Sequence, residues 1–229
     1  MTIHRFSQFI ESISQDFIPV IDTGFLKEEY VAIDLSIHNN KLNAIDVSSS
    51  NEFEDYIEAY LISKRAKVAY GGYNETRAIY NRSVHFNQQD PETERNIHLG
   101  LDVWCDAETK VLAPLTGKVH SFQNNDNFGD YGPTIILEHI IKDVTFYTLY
   151  GHLSKESIST IEIGQRFVEG DVLAVLGDAT VNGDYAPHLH FQIIKDMQGS
   201  MGDYPGVSNK RDLDFFLQNC PDPNLLLKI

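Results

Sequence analysis

From about residue 66 to residue 195 the chain is a succession of short β-like runs. Gly, Pro, Asn and Asp turns separate them. Val111–Ala113, Gly117–Phe122, Thr134–His139, Thr145–Tyr150, Val172–Gly177 and His188–Ile194 are the clearest. Runs this short and this closely spaced predict a mainly β (α+β) fold with a mostly antiparallel, sandwich- or barrel-like core. Ala113–Val119 and Val168–Ala174 echo one another weakly and read as strand–turn–strand pieces of one sheet.

The flanks differ. Phe6, Phe9, Ile10, Ile13 and Phe17 fall at helical spacing and predict an amphipathic helix over about 4–17, closed by Pro19. Tyr30–Ser36 alternates like a strand, and Asn39-Asn40 marks a turn. Leu42–Val47 then reads as the return strand of a hairpin. Ser50 or Asn51 can cap a second helix whose stripe is Phe53, Tyr56, Ile57, Tyr60 and Leu61. A short helix over Leu213–Leu217 precedes an irregular CPDPNLLL tail. The division expected is an N-terminal α/β segment over 1–66, of unread role, and a β-rich domain over 67–229.

Charge and cysteine usage exclude several functions. The 229 residues carry a formal net charge of -15. Such a surface repels phosphate backbones and anionic bilayers, so neither nucleic acid nor membrane is an expected partner. No apolar run approaches the length of a membrane span. Glu11 and Asp16 interrupt the N-terminus, so no signal peptide is read. Two cysteines cannot build a disulfide framework. The expected location is the cytoplasm.

Nine histidines is a high number for this length, and three fragments contain the informative ones. They are HLGLD at 98–102, YGHLS at 150–154 and HLHF at 188–191. Each alone is at the level of about one chance occurrence per chain. Strand geometry links them, because side chains on a strand repeat every two residues. Over 97–103, His98, Gly100 and Asp102 share one face, and Leu99, Leu101 and Val103 the other. Over 188–193, His188, His190 and Gln192 share one face, and Leu189, Phe191 and Ile193 the other. Gly100 removes a side chain between His98 and Asp102. If the two polar faces meet, imidazoles and a carboxylate converge on one ion, the ligand set of a catalytic Zn²⁺. Three protein ligands leave a position open, as hydrolytic zinc requires. His152 ends an alternating strand and can act as acid or base if the fold brings it near. His4, His38, His85, His120 and His139 are assigned no role.

Taken together and in order, His-x-x-x-Asp, Tyr-x-His-Leu and His-Leu-His-Phe resemble the lysostaphin-type (LytM-like) zinc metalloendopeptidases. Pro114–Gly117, Gly164–Val168 and Gly170–Gly177 fall where that family carries strands and turns, so the likeness covers about 95–196. Tyr70–Tyr73, the RAIY at 77–80, DYGPTIILEH at 130–139 and the CPDPNLLL tail resemble one branch of it. That branch is the middle module of large bacterial fusion proteins, between kinase-like and aminotransferase modules.

The resemblance implies a zinc-dependent hydrolase of peptide or amide bonds, with one Zn²⁺ per chain held by His98, Asp102 and His190. It also implies that His152 and His188 are catalytic, one as general base and the other holding the tetrahedral oxyanion. The substrate implied is a peptide or peptide-like molecule, with peptidoglycan peptides among the candidates. With no leader read and an acidic surface, a small cytoplasmic peptide-like compound or recycled wall peptides are as plausible a substrate as the cell wall. Two other readings are a non-catalytic metal-binding module for a peptide or partner protein, and a lipoyl- or biotinyl-type carrier. A regulator needs neither His152 nor His188, and no lysine sits at a hairpin tip as a carrier demands. Asn124–Gly132 and Ala179–Pro187 are the expected groove walls.

Overall fold

The computed structural model describes residues 3–22, 24–83, 86 and 90–229. In chain order the N-terminal part contains α1 (Ile3–Glu11), β1 (Ile21–Asp22), β2 (Tyr30–Ala32) and α2 (Ser50–Lys64). Next come β3 (Val68–Gly71), β4 (Glu75–Thr76), β5 (Ile97–His98), β6 (Leu101–Trp104), β7 (Lys110–Leu112) and β8 (Gly117–Asn125). β9 (Gly132–Ile141), β10 (Val144–Gly151), α3 (Lys155–Ser159), β11 (Arg166–Phe167) and β12 (Val172–Val175) follow. The chain ends with β13 (His188–Ile194), β14 (Val207–Ser208), α4 (Leu213–Asn219) and α5 (Asn224–Leu227).

The fold is sheet-rich α+β, as expected. One eight-stranded sheet runs β11-β8-β9-β10-β13-β6-β3-β2, antiparallel except for the β2–β3 pair. Its order has two ends, so it does not close into a barrel. Two three-stranded sheets, β1-β7-β12 and β14-β5-β4, pack beside it. The two echoing segments lie side by side, with Gly170 N–H donating to Ala113 O, but they are not pieces of one sheet: each links the small sheet, where β12 pairs with β7, to the large one, where β11 pairs with β8.

The main core lies on one face of the large sheet. Leu101, Val103, Leu189, Phe191 and Ile193 point into it, with Leu137, Phe146 and Tyr150 from β9 and β10. Phe6, Ile10, Val20 and Ile21 enter the same core, so residues before 66 pack into the same body. Burying side chains of this size contributes roughly 1.5–3 kcal/mol each. On β6 and β13 the opposite face carries Asp102, His188 and His190. It is covered by Ile33, Leu35 and Phe53 on one side and by Ile79, Tyr80, Phe86 and Val207 on the other.

Five local expectations are corrected. α1 ends at Glu11, because the Ser12 hydroxyl bonds Phe9 O and the Ser14 hydroxyl bonds Asp16 O, competing with helical pairing. There is no 30–47 hairpin: β2 pairs in parallel with β3, and Asn40–Ala44 is a 3-10 turn started by Asn39 Oδ1 accepting from Lys41 N–H. The cap of α2 is Ser49, whose hydroxyl accepts from Glu52 N–H. Residues 97–103 are two strands in different sheets, broken at Leu99-Gly100. The tail is not irregular, for Asn224–Leu227 is helical and buries Leu226 and Leu227 in the main core. The Leu213–Leu217 helix is present and runs on to Asn219. His85 lies outside the described residues. No helix among the described residues is long and apolar enough to cross a membrane.

Candidate metal centre

Antiparallel pairing of β13 with β6 sets Asp102 directly opposite His190, and His188 opposite Trp104. His98, on β5, reaches the same point from across the Leu99-Gly100 break. His98 Nε2 is 2.9 Å from His190 Nδ1 and 3.2 Å from Asp102 Oδ1, and His190 Nδ1 is 3.1 Å from Asp102 Oδ1. All three residues are buried. Gly100 makes the approach feasible. A Cβ there would stand 2.4 Å from His190 Cε1, so the missing side chain makes room for His190 rather than opening a line between His98 and Asp102.

The far side of each ring decides where its proton sits. His98 Nδ1–H donates to Gly72 O at 2.9 Å, leaving a lone pair on Nε2. Gln192 donates through Nε2 to Pro205 O and to Cys220 Sγ, which turns its Oε1 toward His190 Nε2 at 3.0 Å. His190 therefore carries its proton on Nε2 and presents a lone pair on Nδ1. Three acceptors thus face one another at 2.9–3.2 Å. A cation placed between them would be met by all three. The spacing approaches the roughly 3.3 Å between ligands of tetrahedral Zn²⁺ with bonds of about 2.0–2.1 Å. His98, Asp102 and His190 are the one candidate metal cluster among the described residues.

Two more imidazoles stand beside it. His152 lies just past β10 with a positive φ of 63°, a conformation that costs energy and gathers at functional sites. Its Nδ1–H donates to Asn182 O at 2.7 Å, and His188 Nδ1–H donates to Ala186 O at 2.7 Å. Both rings thus keep Nε2 as a lone-pair site. Their centroids are 4.2 Å apart, and His188 Nε2 is 3.9 Å from Asp102 Oδ1. Asn182 is fixed in turn by Tyr185, whose N–H donates to its Oδ1. Trp104 stacks on His188, and Tyr131 and Tyr185 flank His152.

Burial governs the protonation states. It lowers His98 to about 4, with Asp102 opposing and Arg77 adding to the fall. Burial, His188 and His190 hold His152 well below the usual histidine range, and burial lowers His188 against the pull of Asp102. Burial opposes ionisation of Asp102, yet His98 and Arg77 hold it well below the carboxylate range. At neutral pH His98, His152 and His188 are therefore neutral and Asp102 is ionised.

Residues 96–202 match the model of peptidase family M23. The five residues just described all fall inside this M23-like segment. The catalytic domain of the antimicrobial peptidase lysostaphin from Staphylococcus simulans is 24% identical, over 53% of this chain and 80% of that one, with a TM-score of 0.37. A zinc containing peptidase from Vibrio cholerae is 26% identical over 47% of this chain and 30% of that one, with a TM-score of 0.36. The catalytic domain of the prophage-encoded M23 protein EnpA from Enterococcus faecalis is 18% identical over 53% and 82%, with a TM-score of 0.38. No curated protein sequence matches the chain.

Outside the M23-like segment, sequence reading missed Arg77 and Glu75. Arg77 donates through Nη1 to Asp102 Oδ2 at 2.5 Å and through Nε to Glu75 Oε1 at 2.6 Å. The only hint was Asp102 itself: a carboxylate between Leu101 and Val103 in a buried strand needs a cation nearby. The cavity over the site is lined by Gly129–Tyr131 and Tyr185-Ala186 from the expected groove walls. It is also lined by Leu35, Leu42, Ile45 and Val47, which no motif marked.

Proposed function

We propose that the chain is a zinc-dependent hydrolase of peptide or amide bonds. The observation that carries this reading is the convergence of three lone-pair acceptors beside two neutral imidazoles with proton-free Nε2 atoms. His98 Nε2, Asp102 Oδ1 and His190 Nδ1 would hold the metal. When bound, zinc supplies a Lewis acid that polarises a carbonyl and lowers the pKa of water from 15.7 to about 7.

The chain's own residues do the rest. His188 and His152 each offer Nε2 to the proton of the attacking water. Whichever ring takes it becomes an imidazolium that can hydrogen-bond the developing oxyanion and then protonate the leaving amine. Such proton transfer is worth roughly 10²–10⁴ in rate. Asn182 O and Ala186 O fix the two rings in the tautomer that serves as base. A metal-binding module without catalysis has no use for two imidazoles locked this way.

The test is paired. Metal analysis of the purified chain is expected to give about one zinc, lost in His98→Ala. His152→Ala and His188→Ala are expected to keep the metal and abolish hydrolysis of peptides and wall fragments. A wild-type chain with no zinc affinity overturns the reading; so do histidine variants as active as the wild type.

A further inference from the structure

Leu35, Leu42, Ile45 and Val47 line the same cavity of about 680 Å³ as His98, His152, His188 and His190. Sites for small ligands span about 300–1,000 Å³. The wall that these residues form is pinned rather than loose. Leu35 N–H donates to Glu75 Oε2 at 3.0 Å. Arg82 donates through Nη1 to Ser48 O at 2.9 Å and through Nη2 to Asp184 O at 2.7 Å, in the turn that leads into His188. Its guanidinium lies against the rings of Phe128 and Tyr185. The Ser50 hydroxyl donates to Asp184 Oδ1 at 2.9 Å.

We propose that residues 35–47 form the specificity wall of the catalytic pocket. On this view the substrate is a short peptide-like molecule with an apolar side chain beside the scissile bond. The inference rests on the hydrolase reading above. Leu35 is buried, and Leu42, Ile45 and Val47 are half-buried. An apolar side chain laid against them leaves water, whereas glycine brings nothing to bury. The Arg82, Ser50 and Leu35 bonds hold this apolar wall in place over the site. Trp104 lines the same cavity, and its buried Nε1–H has no partner among the described residues. Such a donor is costly to leave unpaired, and a peptide carbonyl satisfies it.

Blocked tripeptides with central glycine, alanine, leucine or phenylalanine, together with pentaglycine, test the inference on the zinc-loaded chain. The leucine or phenylalanine peptide is expected to exceed the glycine peptide by about tenfold or more in kcat/KM. Ile45→Ser is expected to shrink that preference. Ile37→Ser serves as a second variant, since Ile37 lines the cavity, is 53% exposed, and its replacement leaves the core untouched. Calorimetric binding of the same peptides to His152→Ala reads the pocket without turnover. An active enzyme with flat selectivity, or one that prefers pentaglycine, overturns the inference and leaves the hydrolase reading standing. Preferential binding of apolar peptides by a chain that cleaves none supports the wall and overturns catalysis. Equal binding of all peptides to His152→Ala, or none, overturns the wall.

Discussion

Arg77 grips Asp102 from behind. Its Nη1 donates to Oδ2 at 2.5 Å, while Oδ1 faces His98 and His190. The guanidinium is itself held by Glu75, which also accepts from Leu35 N–H in the pocket wall. A line of hydrogen bonds thus joins the N-terminal segment to a proposed metal ligand. Arg77→Met leaves a buried carboxylate without its cation. The expected outcome is a 10–100-fold loss of zinc affinity in a competition titration. A loss of about 3–5 kcal/mol in unfolding free energy should accompany it. Unchanged zinc affinity would show that Arg77 serves packing alone.

Much of this was legible in the residues, for a physical reason. The His188–Ile193 run alternates with period two, so its core and polar faces separate on paper, and HLHF shows both faces within four residues. The break at Leu99-Gly100 was hidden because alternation continues through it. The partner of Tyr30–Ala32 was also hidden, since the adjacent Leu42–Val47 run is the nearer candidate and β3 lies beyond a whole helix. Pro221 and Pro223 disguised α5 as irregular, although proline is tolerated where a helix begins. Arg77 stands in the RAIY string at 77–80, but nothing in that string marks it as a partner of Asp102, and only the fold shows which cation meets the carboxylate.

Gln192 sets the tautomer of His190, and the consequence can be measured. Gln192→Leu removes the acceptor for His190 Nε2–H while keeping an apolar side chain of similar length. The proton is then free to move to Nδ1, where it competes with the metal. Zinc affinity is expected to fall 10–100-fold. The ring nitrogen shifts of His190 in the metal-free chain should report more of the Nδ1–H form. An unaltered tautomer with full zinc affinity would remove Gln192 from the account.

Gly100→Ala tests the close approach at the heart of the cluster. The added methyl group would lie 2.4 Å from His190 Cε1 and 2.9 Å from Phe191 O. The latter is backbone of a central strand, so the imidazole is the part that yields. Zinc content measured after dialysis is expected to fall well below one per chain. Far-UV circular dichroism should stay near that of wild type. Full zinc occupancy in the variant would show that the ring has room to spare.

His139 provides a pH signature away from the metal site. It is buried on β9, with Nδ1–H donating to Thr116 O at 3.0 Å and Nε2 facing the Thr148 hydroxyl at 2.8 Å. Burial lowers its pKa to about 4. In the unfolded chain a histidine titrates near 6.5. Between those values the unfolded state binds the proton and the folded state does not, so stability falls as pH drops from about 6.5 toward about 4. Above 6.5 the group is neutral in both states and has no effect on the slope. Over the whole window the loss is about 3 kcal/mol. Urea unfolding of wild type and His139→Gln, both with the metal chelated, isolates this share. Titrations at the metal site are common to the two proteins and cancel in the comparison. Between pH 7.5 and 4.5 the wild type is expected to lose about 2 kcal/mol more than the variant. Parallel curves would mean that His139 takes up its proton inside the folded chain.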